Sequence, residues 1–82
     1  MNNKYTDEYV RLGINITLYR KLAGFNQEKL AEKLNIEPAH LSRIENARVG
    51  VSLDVLFAMA EILEIPIYKL FEFRDWPYGR VI

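Results

Sequence analysis

Apolar residues recur along the first quarter of the chain at the interval of an α-helix. Tyr9, Leu12, Ile16, Tyr19 and Ala23 are spaced by three, four, three and four residues, the stripe that a helix of 3.6 residues per turn lays against a core. Thr6 is a suitable N-cap, Asp7 and Glu8 fall in the first turn where the helix dipole favours negative charge, and Gly24 supplies a left-handed residue to end the helix. Asn26 offers a second N-cap, with Phe25 ahead of it placed to pack on Leu30. Leu30, Ala31 and Leu34 form the next apolar face, so a short helix is predicted over 27–34. Asn35, which tolerates positive φ well for a non-glycine residue, opens a tight turn. Pro38 starts a third helix reaching to about Asn46, with Leu41 and Ile44 inward and Ala39, His40, Ser42 and Arg43 outward. Residues 47–50 read as a loop, and Ser52 caps a fourth helix with Val51 placed to pack on Leu56. Pro66 precedes a short fifth helix from Ile67 to about Phe73. Five helices, no strand pattern and no internal repeat predict an all-α fold. Residues 1–73 read as a single domain and 74–82 as a short aromatic tail, which can be extended.

Composition narrows this picture. Eighty-two residues suffice for one core and not for two, and 50% apolar with 27% charged residues is the balance of a globular chain. No cysteine is present, so packing rather than disulfides is expected to hold the fold, in a reducing compartment. No apolar run approaches the ~20 residues that span a bilayer, and the start MNNKYTDEY lacks the basic-then-apolar layout of a signal peptide. A cytoplasmic protein is expected. The formal net charge is zero, which removes the simplest argument for a nucleic-acid partner. The charge is nonetheless unevenly spread: residues 1–50 hold eight basic and six acidic side chains, residues 51–82 three and five.

Two short helices joined by a tight turn, the second with a polar outer face, have the layout of a helix-turn-helix, which lays its second helix in the major groove of DNA. The unit spans residues 27–46. Leu30, Leu34, Ile36, Leu41 and Ile44 supply its inward side chains, and Ala31 is small where the helices cross. On pattern alone an ordinary helical hairpin fits as well. Catalysis lacks parts: there is one histidine, no cysteine and no glycine-rich phosphate loop, and the carboxylates are scattered. A lone histidine also excludes paired-histidine metal sites. No enzyme activity, metal or cofactor is expected.

GFNQEKLAEKLNI at 24–36, LSRIE at 41–45, SLDVL at 52–56 and LEIPIYKLF at 63–71 resemble, in order and spacing, the XRE-type helix-turn-helix family, similar to the DNA-binding domains of lambdoid phage repressor and Cro proteins. The resemblance covers residues 9–71. It implies a five-helix DNA-binding domain and a transcriptional regulator, a repressor or controller, acting on double-stranded DNA. Small stand-alone proteins resembling this family include controllers of restriction-modification genes, regulators of mobile elements and antitoxins. The resemblance also implies that Gln27 contacts phosphate and supports the recognition helix, and that Arg20 and Glu45 form a structural ion pair between helices 1 and 3. The chain departs from the family pattern at Asn35, in place of the usual turn glycine, and at Glu37, where Ser or Thr is common. Glu64 and Pro66 stand where Gly and Ser often close helix 4 and cap helix 5.

The remaining candidates each have two readings. Arg43 could bind a guanine edge through two hydrogen bonds or merely reach a phosphate. His40 is a phosphate or base contact or an idle surface histidine. Ala39 could touch a thymine methyl, and Ser42 lets the helix approach closely, or both fill surface. Glu37 repels phosphate yet can accept from cytosine N4, and so could act as a filter. Asn26, Gln27, Lys29, Asn46 and Arg48 flank the helix and would hold phosphates. Lys4, Lys33 and Lys69 read as solvated charges.

One recognition helix reads only about four base pairs, so a homodimer on palindromic half-sites roughly 34 Å apart is expected. Surplus apolar surface is available for it. With Leu53, Leu56, Ala60 and Leu63 taken as the core face of helix 4, Val55, Phe57, Met59 and Ile62 are left over. Helix 1 carries a second stripe, Val10, Ile14 and Leu18. The dimer contact is expected at Val55, Met59, Ile62, Phe71, Phe73, Trp76 and Tyr78, with the tail packing on the helix 1 stripe of its own chain or across the axis. No effector domain is expected, so control would come from concentration, a partner protein or cooperative binding. The competing reading is a protein-interaction module of the same fold, such as an antitoxin or coactivator, which zero net charge favours.

Overall fold

The computed structural model describes residues 4–73, so the expectations for Trp76, Tyr78 and the rest of 74–82 lie outside the described residues. Four α-helices follow in order: α1 (Thr6–Leu22), α2 (Gln27–Leu34), α3 (Pro38–Glu45) and α4 (Leu53–Leu63). A single 3-10 turn, Ile67–Phe71, completes the described chain. α1 packs on α3 and on the 3-10 turn, α2 packs on α3 and α4, and α4 closes against the 3-10 turn. Ile16, Leu30, Leu41, Met59 and Leu70, one from each element, are the large side chains buried most completely at the centre.

The helix ends are set by local chemistry. Asn26 Oδ1 accepts a 2.7 Å hydrogen bond from the Lys29 N–H, and Ser52 Oγ accepts from the Val55 N–H at 3.2 Å. All four helices close in the same way. A residue at positive φ, Gly24, Asn35, Ala47 or Glu64, is followed by one whose N–H reaches back to the carbonyl five residues earlier: Phe25 to Arg20, Ile36 to Ala31, Arg48 to Arg43 and Ile65 to Ala60. Phe25, Ile36 and Ile65 are apolar and pack against the core. Their burial holds the chain in a conformation that Asn35 and Glu64, lacking glycine's freedom, adopt at some expense.

Several expectations are corrected. The predicted fifth helix is a 3-10 turn ending at Phe71, not an α-helix to Phe73. Five residues behind Pro66 are too few for an α ladder, and the Asn15 side chain of α1 captures the carbonyls of Leu70 at 2.9 Å and Glu72 at 3.3 Å, where a helix would continue. Thr6 is the first helical residue, with Tyr5 at the N-cap position, and Ala23 is exposed beyond the end of α1. On α4 the inward set is Leu56, Met59, Ala60 and Leu63. Met59, expected at a dimer contact, is fully buried, while Leu53, expected in the core, is 60% exposed. Both sets fit helical spacing. Position decides between them, because Leu53 is the first residue of the helix and overhangs the core.

Candidate nucleic-acid interface

α3 is fixed from its inner side. Leu41 and Ile44 bury completely or nearly so, and Glu45 at its C-terminal end is buried although charged. A buried carboxylate requires partners, and three elements supply them. Arg20 of α1 donates from Nε to Glu45 Oε2 at 2.7 Å and from Nη2 to Oε1 at 3.0 Å. Gln27 Nε2, from the first residue of α2, donates to Oε1 at 2.9 Å. Arg20 Nη1 also donates to the Phe25 carbonyl in the α1–α2 loop at 2.9 Å. Burial pushes the Glu45 carboxyl up. The hydrogen bonds from Arg20, Gln27 and Thr17, together with the Arg20 charge, outweigh that and hold it below the usual carboxylate range. The carboxylate thus ties α1, α2 and α3 together at one point.

The same junction needs Gly13. A Cβ built there would stand 2.9 Å from the Glu45 carbonyl carbon, closer still to its oxygen, and 3.2 Å from the Ile44 oxygen. Only glycine lets α1 lie directly on the end of α3. Sequence reading missed Gly13. A signal was present, since a glycine in the middle of an otherwise well-marked helix weakens it by about 0.5–1 kcal/mol relative to alanine and asks for a packing reason. Ala47 was missed too, because nothing in its side chain announces a left-handed cap.

Outward, α3 presents Glu37, Pro38, Ala39 and Arg43 to solvent, with His40 and Ser42 half-buried beside them. Glu37 stands exposed at the N-cap position in extended backbone, without a side-chain capping bond to the helix. Asn46 is exposed but turned back on its own helix, donating from Nδ2 to the Ser42 carbonyl at 2.9 Å. Arg48 is exposed just beyond. Asn26 uses its side-chain oxygen as the α2 cap, and Lys29 lies 3.3 Å from the exposed Glu32 carboxylate. The structure therefore gathers Ala39, His40, Ser42 and Arg43 on one short helix, with Glu37 at its N-cap. Gln27 is not a free surface amide: one N–H of its amide is engaged on Glu45, and the amide nitrogen carries a second N–H donor besides.

Elsewhere, Val55 and Ile62 are half-buried and pack against the core, whereas Leu53 and Phe57 of α4 and Tyr68 and Phe71 of the 3-10 turn are exposed. Phe71 and the half-buried Phe73 pack with ring centroids 6.2 Å apart and ring planes tilted by 50°, at the edge of an apolar groove shared with Tyr5, Tyr9 and Leu53. Among the described residues, no group of three or more His, Cys, Asp or Glu side chains could hold a metal ion, and no helix is long and apolar enough to cross a membrane.

Comparison with known proteins gives the fold a context. A family model described as helix-turn-helix matches residues 16–70. The HTH-type transcriptional regulator SinR of Bacillus licheniformis is 31% identical over 65 residues, a match covering 78% of this chain and 59% of that protein. The chain thus spans about three fifths of that relative's length. Among solved structures, the restriction-modification controller protein C.AhdI of Aeromonas hydrophila superposes with a TM-score of 0.79 at 25% identity, covering 84% of this chain and all of that one. A hypothetical transcription factor, NHTF, from Neisseria gives 0.77 at 26% identity, covering 89% and 84% respectively. The clp gene regulator ClgR of C. glutamicum gives 0.71 at 26%, covering 76% and 80%.

Proposed function

The chain belongs to the XRE-type helix-turn-helix family of DNA-binding transcriptional regulators, and from that premise we propose that it occupies a palindromic operator as a homodimer, reading bases through α3. The observation that carries this reading is the two-sidedness of α3. Leu41, Ile44 and Glu45 anchor its inner side, while Ala39 and Arg43 stand exposed on a helix whose neighbours do not cover it. Small residues next to Arg43 let the helix backbone approach the base edges. Arg43 then bonds a guanine through two parallel N–H donors, a contact contributing about 1–3 kcal/mol of discrimination. Ala39 packs on a thymine methyl, and Glu37 favours cytosine on the side of the helix it faces. His40 and Ser42 line the margin. Gln27, Asn26, Asn46 and Arg48 contact phosphate, supported by the positive end of α2.

Repression by occupancy of an operator is the simplest regulatory mode for such a domain, and a controller role of the kind named for the Aeromonas protein is the nearest variant. The dimer contact is carried by the exposed apolar set Leu53, Phe57 and Phe71, with Phe73 and the half-buried Val55 and Ile62 at its margin. Buried Met59 is not part of it.

Salt dependence tests the DNA reading. Retention on fragmented genomic DNA that falls linearly on logarithmic axes as salt rises reports counterion release from neutralised phosphates. No retention even at low salt favours instead a protein-interaction module of the same fold, the reading that the zero net charge supports.

A further inference from the structure

We propose that the outer seam of α1 is a self-association surface that pairs with α1 of a second copy of this chain, antiparallel and two-fold about Ile14. Val10, Ile14, Leu18 and Leu22 follow one another at four-residue steps and are 41%, 51%, 47% and 71% exposed. At about 100° per residue, this ridge lies on the opposite side of α1 from Leu12, Gly13, Ile16 and Arg20, the residues the helix buries. α1 therefore has two apolar faces, and only one is used inside the chain among the described residues. A row of side chains at four-residue spacing is the ridge that packs into the groove of a like helix.

The charges identify the occupant. Asp7 and Lys21, both exposed, each lie seven residues from Ile14, and Val10 and Leu18 each lie four. Antiparallel pairing sets Ile14 against Ile14 of the second copy, Val10 against Leu18, and Asp7 against Lys21 at both ends. Parallel pairing would oppose like charges. An isologous contact demands this self-complementarity. Arg11 stands on one flank, and the two copies of it are separated along the helices by about 9 Å, enough for water to screen them. Because the seam faces away from α3, the pairing leaves Ala39 and Arg43 open. It is separate from the α4 contact, does not depend on the DNA reading, and joins dimers into tetramers.

The absence of cysteine makes the register testable in the full chain. Under mild oxidation Ile14→Cys forms a disulfide-linked dimer in high yield, since only the residue on the axis meets its own equivalent. Val10→Cys and Leu18→Cys link poorly alone but link to each other when mixed. In sedimentation without DNA, Asp7→Lys and Lys21→Asp each weaken association about fivefold, and the double swap restores it. Ile14→Glu weakens it at least about tenfold, while in dilute monomer the melting temperature is unchanged, its site being exposed in the single chain. Ile14→Cys that links no better than Leu18→Cys, or Ile14→Glu that associates like the parent, overturns the proposal. So does a lowered melting temperature of Ile14→Glu in dilute monomer, which would assign the seam to residues 74–82 of the same chain.

Discussion

The backbone of Gly13 rests on the carbonyl of Glu45, so that α1 and the end of α3 meet without an intervening side chain. Two effects compete in Gly13→Ala. Helix propensity favours alanine by about 0.5–1 kcal/mol, whereas the added methyl must force the two backbones apart, an overpacking that costs about 1–3 kcal/mol. The clash is with backbone and not with a movable side chain, so it wins. Thermal denaturation is expected to show a net loss of stability, and DNA binding should weaken further because α3 is displaced.

The Arg20–Glu45 pair is buried on both sides, with side-chain exposures of 8% and 3%. Arg20→Met strands the Glu45 carboxylate and is expected to destabilise by about 3–5 kcal/mol. Arg20→Met combined with Glu45→Leu should recover much of that loss, because no unpaired charge remains. Urea denaturation of the two single variants and the double variant gives the coupling directly.

Acid should weaken the same junction. The Glu45 carboxyl titrates below its ordinary value near 4.5, so it contributes stability in full above that pH and loses it as the pH falls through the lower value of the folded state. The stability difference between the parent and Glu45→Gln is expected to narrow below pH 4.5. A difference that stays constant down to complete acid unfolding would show that the charge is not responsible.

Glu64 holds φ at 58° to end α4. A left-handed conformation costs an ordinary L-residue roughly 1–2 kcal/mol and glycine little. Glu64→Gly is therefore expected to raise the melting temperature. Its side chain is exposed, so little contact is lost to offset the gain.

Local signals account for what was legible in the sequence. The caps at Asn26 and Ser52, the left-handed Asn35 and the inward residues Leu41 and Ile44 each depend on chemistry within a few positions, and each stands where the chain pattern puts it. What the sequence left hidden depends on contacts between distant segments. Asn15 decides how the turn after Pro66 ends, through carbonyls more than fifty positions away. The choice between Leu53 and Met59 turned on where α4 overhangs its neighbours, which helical periodicity does not encode. At the interface, residue types suggested the outer face of α3, whereas the engagement of Gln27 on Glu45 is a three-helix contact visible only once the elements are assembled.

Selection of bound duplexes from a random pool, run in parallel with the parent chain and Arg43→Ala, tests the recognition role of α3 most directly. The account predicts an enriched palindrome with half-sites about one helical turn apart, and for Arg43→Ala the same spacing with preference lost at one guanine position in each half-site. No enrichment from the parent chain, or an identical preferred sequence from Arg43→Ala, would contradict it.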